Sequence, residues 1–146
     1  MSPEQRLAEL AEGRNPALVA HMPSGFLVMG ASQFLPGYCL LLAYPKVGKL
    51  NDLAREARAQ FLDDMARAGD AVLAATGCLR INYSIYGNLD PFLHAHIWPR
   101  YDWEDERYRT LPPLSIPTDV REAPDCAFDV ERHGELLERI RAYVAS

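Results

Sequence analysis

The feature that most constrains the fold is a long amphipathic stretch that begins at Asn51 or Asp52 and stops at Gly77. Apolar residues recur in it at helical spacing, and Arg, Asp and Glu fill the other side. These apolar residues are Leu53, Ala57, Phe61, Met65, Ala68 and Val72. Glycine commonly ends a helix because it adopts the left-handed conformation of the C-terminal cap. The pattern therefore predicts one long helix with a single apolar face.

Short apolar stretches rich in β-prone residues lie on both sides of this helix. They fall at residues 17–22, 26–29, 38–44, 79–86 and 92–98. Pro23, Ser24 and Gly25 supply a turn between the first two stretches, and residues 87–91 supply one between the last two. Strands joined mainly by hairpins and flanked by helices predict an α+β domain. We expect a mostly antiparallel sheet of about five strands with the long helix packed on it.

Two further helices are predicted near the ends of the chain. Ser2 followed by Pro3 is a helix-start signal, and this first helix is expected to stop near Gly13. A last helix is expected over residues 129–143. The segment between Tyr101 and that helix contains four prolines and is predicted to lack regular structure. These are Pro112, Pro113, Pro117 and Pro124. A chain of 146 residues forms one well-buried domain, so residues 1–146 are assigned to a single domain.

Composition excludes several classes of function. A formal net charge of -5 argues against binding to a nucleic-acid backbone, which needs a basic footprint. No apolar run reaches the roughly 18 to 20 residues that cross a membrane, and the N-terminal residues lack the apolar core of a signal peptide. We therefore expect a cytoplasmic protein without a nucleic-acid or membrane partner. An anionic small ligand stays possible, because a local site can be positive on an acidic protein.

The three cysteines suggest neither a disulfide framework nor a metal site. Cys39, Cys78 and Cys126 are an odd number of residues separated by long, irregular gaps. We expect them to behave as small apolar residues.

The stretch at residues 92–98 carries the groups best suited to chemistry. In a strand, alternate side chains share a face, so His94 and His96 point the same way as Phe92 and Trp98. The side chains between them, Leu93, Ala95 and Ile97, form a plausible core face. An imidazole with a pKa of about 6.5 is partly neutral at cellular pH, so it can act as a nucleophile, a base or a metal ligand.

Other interpretations of these residues remain open. Two histidines on one strand can be structural, or they can bind zinc or iron with Glu104 or Asp105 as a third ligand if the following loop folds back. His21 and His133 are expected to be surface or capping residues, although a C-terminal residue could reach the cleft of a dimer partner. The acidic run after Tyr101 is most simply a solvated loop. It consists of Asp102, Glu104, Asp105 and Glu106.

Residues 87–101 resemble the signature of the histidine triad (HIT) superfamily, in which three histidines alternate with apolar residues and a proline and an arginine often follow. Pro99 and Arg100 set the register. They place His94 at the central, nucleophilic histidine and His96 at the third histidine, which contacts the phosphate in the family. The resemblance extends upstream to the Pro-Lys turn at residues 45–46 and covers roughly residues 26–101.

Two departures from the family pattern accompany this resemblance. Phe92 stands at the first triad position, and Val47 and Gly48 stand where the family usually has a histidine after the Pro-Lys turn. In the family those two histidines lie close together, so one supporting pair is missing as a unit. Phe92 can support His94 only by packing, because its ring forms no conventional hydrogen bond. Leu89 and Asp90 replace the polar group that often precedes the triad, which leaves no residue assigned to assist the leaving group.

The resemblance implies a site and a mechanism. His94 would attack the α-phosphorus of a nucleotide, and His96 would stabilise charge on the phosphoryl oxygens, with no cofactor and no metal required. Asn88 is a candidate contact to the phosphate or ribose. The base would pack in an apolar cleft with Phe26, Val28 and Phe34 as candidates. A homodimer with its sheets joined across the two-fold axis is also implied.

Two functions are consistent with these features. The first is a nucleotide hydrolase or nucleotidyl transferase acting on dinucleoside polyphosphates or nucleoside phosphoramidates through a nucleotidyl-His94 intermediate. The alternative is a catalytically weak nucleotide-binding or interaction protein on the same fold. A metalloprotein is a third possibility of lower weight.

Overall fold

The computed structural model describes residues 1–146, which form one five-stranded sheet with helices on its two faces. The strands are β1 (Leu18–Met22), β2 (Gly25–Met29), β3 (Cys39–Ala43), β4 (Arg80–Ile85) and β5 (His94–Arg100). The helices are α1 (Pro3–Ala11), α2 (Arg55–Thr76), α3 (Thr118–Arg121) and α4 (Val130–Ala145). All strand pairs are antiparallel, and the order is β1-β2-β3-β5-β4. The predicted α+β architecture is confirmed.

One face of the sheet carries the main hydrophobic core, which is covered by α2 and α4. Leu93, Ala95 and Ile97 belong to this core, so their predicted position on the core face is confirmed. The helix α2 begins at Arg55, later than predicted, because residues Leu50–Asp52 form a separate 3-10 turn. It ends as predicted at Gly77, whose φ of 67° is the left-handed conformation that glycine tolerates.

The helix α1 covers part of the opposite face. The Ser2 hydroxyl accepts a hydrogen bond from the Gln5 backbone N–H, and the Gln5 side chain accepts one from the Ser2 N–H, a reciprocal cap that fixes the start of the helix. The helix buries Leu7 and Leu10 against the sheet. Their partners there are Phe26, Val28, Leu42 and Phe92. This small second core lies beside the histidines of β5.

The boundaries of β5 differ from the prediction. The strand begins at His94 rather than at Phe92 and continues beyond Trp98 to Arg100. Pro99 is tolerated inside it because the pairing of β5 with β3 ends at Ile97, so no neighbour on that side requires a proline N–H. Phe92 precedes the strand and occupies a tight turn, where its N–H donates to the Asp90 carbonyl (2.7 Å).

The segment after Tyr101 also differs from the prediction. It contains the short helix α3 and two 3-10 turns, Pro113–Ser115 and Pro124–Cys126. A proline fits the first turn of a helix, where its missing N–H is not needed, so these prolines begin short helical segments rather than prevent them. The expectation that the acidic run is wholly solvated is wrong for Glu104. Its carboxylate is buried and binds the Arg100 guanidinium through two hydrogen bonds (3.0 and 2.9 Å).

Candidate active site

The strand register brings residues from three strands to the face of the sheet that α2 does not cover. His96 on β5 lies opposite Leu40 on β3 and Ser84 on β4. Because side chains alternate along a strand, His94 and Trp98 share the face of His96. The two imidazole centroids are 5.2 Å apart. The structure thus confirms the shared face of the two histidines.

His94 is held by the backbone in one tautomer. Its Nδ1 lies 2.8 Å from the carbonyl oxygen of Phe92. A carbonyl oxygen only accepts, so Nδ1 carries the hydrogen and Nε2 of the neutral ring carries the free lone pair. The side chain is 8% exposed. His94 is therefore a largely shielded imidazole whose second nitrogen is free to react.

Phe92 supports His94 through its main chain as well as through its ring. The two ring centroids are 4.9 Å apart, and the Phe92 side chain is completely buried. The hydrogen bond to His94 comes from the Phe92 carbonyl, which any residue at this position can offer. Val47, which follows the Pro-Lys turn, lies next to this segment, because the N–H of Leu93 donates to the Val47 carbonyl (2.8 Å). Phe92 and Val47 are therefore close to the same short segment before β5.

His96 is bound to Tyr38 of the loop that leads into β3. The Tyr38 hydroxyl lies 2.7 Å from His96 Nδ1. Burial, with a smaller contribution from the neighbouring His94, lowers the pKa of His96 to about 4. Burial also raises the pKa of Tyr38, which keeps its hydroxyl protonated. A neutral His96 that accepts the Tyr38 hydrogen at Nδ1 presents an N–H at Nε2, so it can donate a hydrogen bond without carrying charge.

Aromatic stacking fixes this pair in place. The Trp98 ring stacks on Tyr38 with centroids 4.0 Å apart and on His96 with centroids 5.1 Å apart. The indole N–H of Trp98 donates to the Ser84 hydroxyl (2.9 Å). Trp98 is 3% exposed and forms a small core cluster with Leu35 and Tyr38. The stack holds the His96 ring in one orientation.

A cleft of about 760 Å³ opens beside His96. Val28, Phe34 and Leu40 give it an apolar wall, and Arg6 and Arg121 give it positive charge. Its other lining residues come from the loop before β1, from residues 114–128, and from the sheet and the loop between β2 and β3. His96 lines this cleft, whereas His94 does not.

The remaining predicted binding residues lie outside the lining of this cleft. Phe26 is 1% exposed and is covered by Leu7 and Leu10 of α1. Asn88 is exposed in the loop between β4 and β5. Val28 and Phe34 do line the cleft. The assignment of all four residues to nucleotide binding stays a prediction.

The arrangement does not present a metal-ligand set. No group of three or more His, Cys, Asp or Glu side chains is placed to hold a metal ion. The two carboxylates considered as a third ligand have other partners, since Glu104 binds Arg100 and Asp105 binds Arg107. No helix is both long and apolar enough to span a membrane.

The other two histidines lie outside the site. His133 of α4 accepts a hydrogen bond from the Asp129 N–H (2.9 Å), which confirms the predicted capping role. His21 is exposed on β1 and packs its ring against Phe26.

Tyr38 is the functional residue that the sequence did not reveal. Its alternation with Leu40 and Leu42 predicts that the three side chains share a face. One sequence does not predict which strands pair, so the contact between Tyr38 and His96 could not be derived from it. Arg121 was missed for a related reason, because it reaches the cleft from a segment predicted to be irregular.

Comparisons with known proteins agree with this geometry at the level of fold. No family sequence profile matches the chain, and no curated protein matches it. A histidine triad protein of Sinorhizobium meliloti superposes with a TM-score of 0.73 over 86% of this chain and 87% of its own, at 17% identity. For one of Bradyrhizobium japonicum the TM-score is 0.65 over 94% and 95%, at 21% identity. A hypothetical histidine triad nucleotide-binding protein of Sulfolobus tokodaii gives 0.71 over 97% and 91%, at 12% identity.

The fold is therefore that of the histidine triad proteins, as the motif on β5 predicted. The fold of the chain is HIT-like, whereas the placing of Phe92 at the first of the three triad positions, with His94 and His96 at the other two, stays a prediction from the motif.

Proposed function

We propose that this protein is a nucleotide hydrolase or nucleotidyl transferase. Its substrates would be nucleoside phosphates such as dinucleoside polyphosphates or nucleoside phosphoramidates, and the reaction would pass through a nucleotidyl-His94 intermediate. The observation that carries this proposal is the hydrogen bond from His94 Nδ1 to the Phe92 carbonyl. It leaves the Nε2 lone pair available, and a neutral imidazole with a free lone pair is a competent nucleophile.

The proposed reaction has two steps. In the first, Nε2 of His94 forms a bond to the α-phosphorus, and the bond to the leaving group breaks with its electron pair going to the departing atom. The imidazole then carries a positive charge because Nδ1 keeps its hydrogen, and the Phe92 carbonyl accepts a stronger hydrogen bond from the charged ring. In the second, a water oxygen attacks phosphorus, the N–P electron pair returns to Nε2, and a water proton is released. An acceptor alcohol or phosphate in place of water makes the protein a transferase.

His96 would act on the phosphoryl oxygens as a neutral donor. With its pKa lowered to about 4, it carries no charge at neutral pH, so its contribution is an N–H already aimed by Tyr38 and Trp98. Fixed donors of this kind stabilise the charge that develops in a transition state. Tyr38 is a positioning residue in this scheme, since it acts through His96.

The nucleoside would occupy the cleft beside His96. Val28 and Phe34 line it and offer apolar surface to a base. Phe26 would act from beneath, through its packing with Val28 in the cluster under α1. Asn88 would act from the exposed loop before β5, on a phosphate or ribose.

The second candidate is a nucleotide-binding or interaction protein with weak catalysis. The observation that favours it is the apolar character of Phe92 and Val47, which stand where the family has its supporting histidine pair. A protein without the histidine pair can keep the cleft but lacks whatever that pair contributes to catalysis.

Hydrolysis of a small substrate panel tests the proposal. We expect the protein to turn over diadenosine tetraphosphate or an adenosine phosphoramidate without added metal, and His94→Ala to lower the rate by about a thousandfold or more. His21→Ala is the matched control, because His21 is exposed and lies outside the cleft. Nucleotide binding without turnover in the wild type would instead support the binding protein.

We further propose that the protein works as a cytoplasmic homodimer joined through β4. The outer edge of β1 is partly occupied, because Arg141 of α4 donates to the carbonyls of Leu18 and Val19 (2.8 Å each). The edge of β4 has no strand partner, and Leu79 and Tyr83 expose apolar surface beside it. Sedimentation equilibrium would show a dimer, and a monomer at all accessible concentrations would exclude this arrangement.

A further inference from the structure

The segment that closes the cleft opposite the sheet carries Arg121 to the site. This segment is tied to the loop after β2, where the Ser32 hydroxyl donates to the Arg121 carbonyl and the Gln33 N–H donates to the Cys126 carbonyl (2.6 Å). These two contacts fix the backbone at the last residue of α3 and in the turn that follows it. The position of Arg121 is therefore set by the fold and not by a flexible loop.

The Arg121 guanidinium is oriented but has no acidic partner. Its Nε donates to the Ile116 carbonyl (2.8 Å) and its Nη2 to the Thr118 hydroxyl (3.2 Å), while Nη1 makes no hydrogen bond within the molecule. No carboxylate forms an ion pair with it. Arg6, the other arginine that lines the cleft, has Asp90 at 3.9 Å. The charge of Arg121 thus reaches the cleft without an ion-pair partner, although Glu122 also lines the cleft.

Arg121 also acts on the pair that contains His96. The positive charge of its guanidinium opposes the rise in the pKa of Tyr38 that burial causes. The Tyr38 hydroxyl is in turn bound to His96 Nδ1. Guanidinium, phenol and imidazole therefore form one electrostatic cluster at the edge of the reacting centre.

The site is better suited to a phosphate leaving group than to an amine leaving group. An amine that leaves a phosphoramidate needs a proton, but the pKa of His96 is about 4 and the Phe92 ring has no proton to give. A departing phosphate, with a second pKa of about 6, leaves as an anion at neutral pH without a proton. What it requires is positive charge, and a planar guanidinium binds phosphate oxygens well.

We propose that Arg121 binds the departing phosphate of the substrate, so that the site takes nucleoside polyphosphates, dinucleoside polyphosphates included, in preference to nucleoside phosphoramidates. The inference rests on the proposed function, because it names the substrate class of the same site. In the first step, the bond from the α-phosphorus to the bridging oxygen breaks, the electron pair goes to that oxygen, and the guanidinium of Arg121 receives the resulting negative charge.

Binding measurements on an inactive background test this assignment. Calorimetry on His94→Ala would compare AMP, which has no departing phosphate, with ADP, which has one. We expect ADP to bind on the order of tenfold or more tightly than AMP, since a hydrogen bond to a charged group contributes a factor of about 10 to 100. Arg121→Gln should remove this difference, and Arg121→Lys should retain part of it.

A matched control separates binding from a structural role. Arg132→Gln removes an exposed arginine that also donates to backbone carbonyls of this segment, those of Asp125 and Ala127, but does not line the cleft. It should leave the ratio of ADP to AMP affinity unchanged. If Arg121 only held the segment together, Arg121→Gln would weaken AMP and ADP equally, and that result would overturn the proposal.

The same variants keep this inference distinct from the proposed function. An ADP preference that depends on Arg121, found in a wild-type protein without turnover, would support the assignment of Arg121 and reject the enzyme. Turnover with an unchanged ratio of kcat/KM between diadenosine tetraphosphate and an adenosine phosphoramidate in Arg121→Gln would reject the assignment and keep the enzyme. A wild-type protein that binds neither AMP nor ADP would overturn both.

Discussion

The hydrogen bond from His94 Nδ1 to the Phe92 carbonyl holds the imidazole in one tautomer without help from the side chain at position 92. The tautomer of His94 is set by the main chain, which no substitution at position 92 removes. The Phe92 ring instead joins the small core beneath α1, with Leu7, Leu10 and Phe26 among its neighbours. At this position, an aromatic ring contributes to the packing between the first helix and the sheet.

A histidine at position 92 should therefore lower the stability of this protein. Phe92→His places a polar ring in a completely buried apolar cluster, and we expect the free energy of unfolding to fall by about 1–3 kcal/mol. Urea unfolding measures this, with Phe92→Leu as an apolar control that should cost less than about 1.5 kcal/mol. An increase in activity without loss of stability would show that the site still accommodates the original triad.

The low pKa of His96 gives a prediction for pH dependence. Folding holds this ring neutral, with a pKa of about 4 against 6.5 for an ordinary histidine. The unfolded chain thus takes up the proton first as pH falls, so the stability due to neutral His96 is complete above pH 6.5 and is lost between about 6.5 and 4. NMR titration, with the resonance assigned by comparison with His96→Gln, should show no protonation of His96 above pH 5. A midpoint near 6.5 would contradict the environment described here.

At the scale of elements, periodicity predicted which side chains share a face but not where every element begins. The core faces of α2 and β5 could be predicted because apolar residues recur at helical spacing in α2 and at every second residue in β5. The starts of α2 at Arg55 and of β5 at His94 depend on a 3-10 turn and on a tight turn, which local pattern does not encode. The prediction that Glu104 is solvated is wrong because its carboxylate forms an ion pair with Arg100 once the chain turns back after β5.

Asp64 is an acidic residue on the apolar face of α2. It stands three residues after Phe61 and four before Ala68, and it is completely buried. Its carboxylate accepts hydrogen bonds from the backbone N–H (2.9 Å) and hydroxyl (2.6 Å) of Ser24 and from the Gln60 side chain (2.9 Å). This contact ties the turn between β1 and β2 to the long helix.

Asp64→Ala should be strongly destabilising. Removing the carboxylate leaves the Ser24 donors without a partner in a buried position, and we expect a loss of about 2–4 kcal/mol in the free energy of unfolding. Asp63→Ala, at an exposed position one residue earlier, is the matched control and should change stability by less than about 0.5 kcal/mol. Equal effects of the two substitutions in a urea titration would show that the buried contact contributes nothing.

At the scale of the whole molecule, the two faces of the sheet have separate roles. The face under α2 and α4 carries most of the apolar core, whereas the other face is divided between the packing of α1 and the cleft beside His96. The cleft is lined by two arginines, Arg6 and Arg121, and by one acidic residue, Glu122, on a protein whose net charge is -5. The sequence predicted the histidines and the fold, but not this wall of the cleft, because its residues meet only through contacts between distant segments.

The most direct test of a nucleophilic His94 is to trap the covalent intermediate. Wild-type protein would be mixed with excess diadenosine tetraphosphate, quenched within one turnover under alkaline denaturing conditions that preserve N–P bonds, and analysed by intact and peptide mass spectrometry. We predict an added mass of one nucleotidyl group, that is, one nucleoside monophosphate less one water, on the peptide that contains His94, and none in His94→Ala. A label on any other residue, or turnover retained by His94→Ala, would contradict the account.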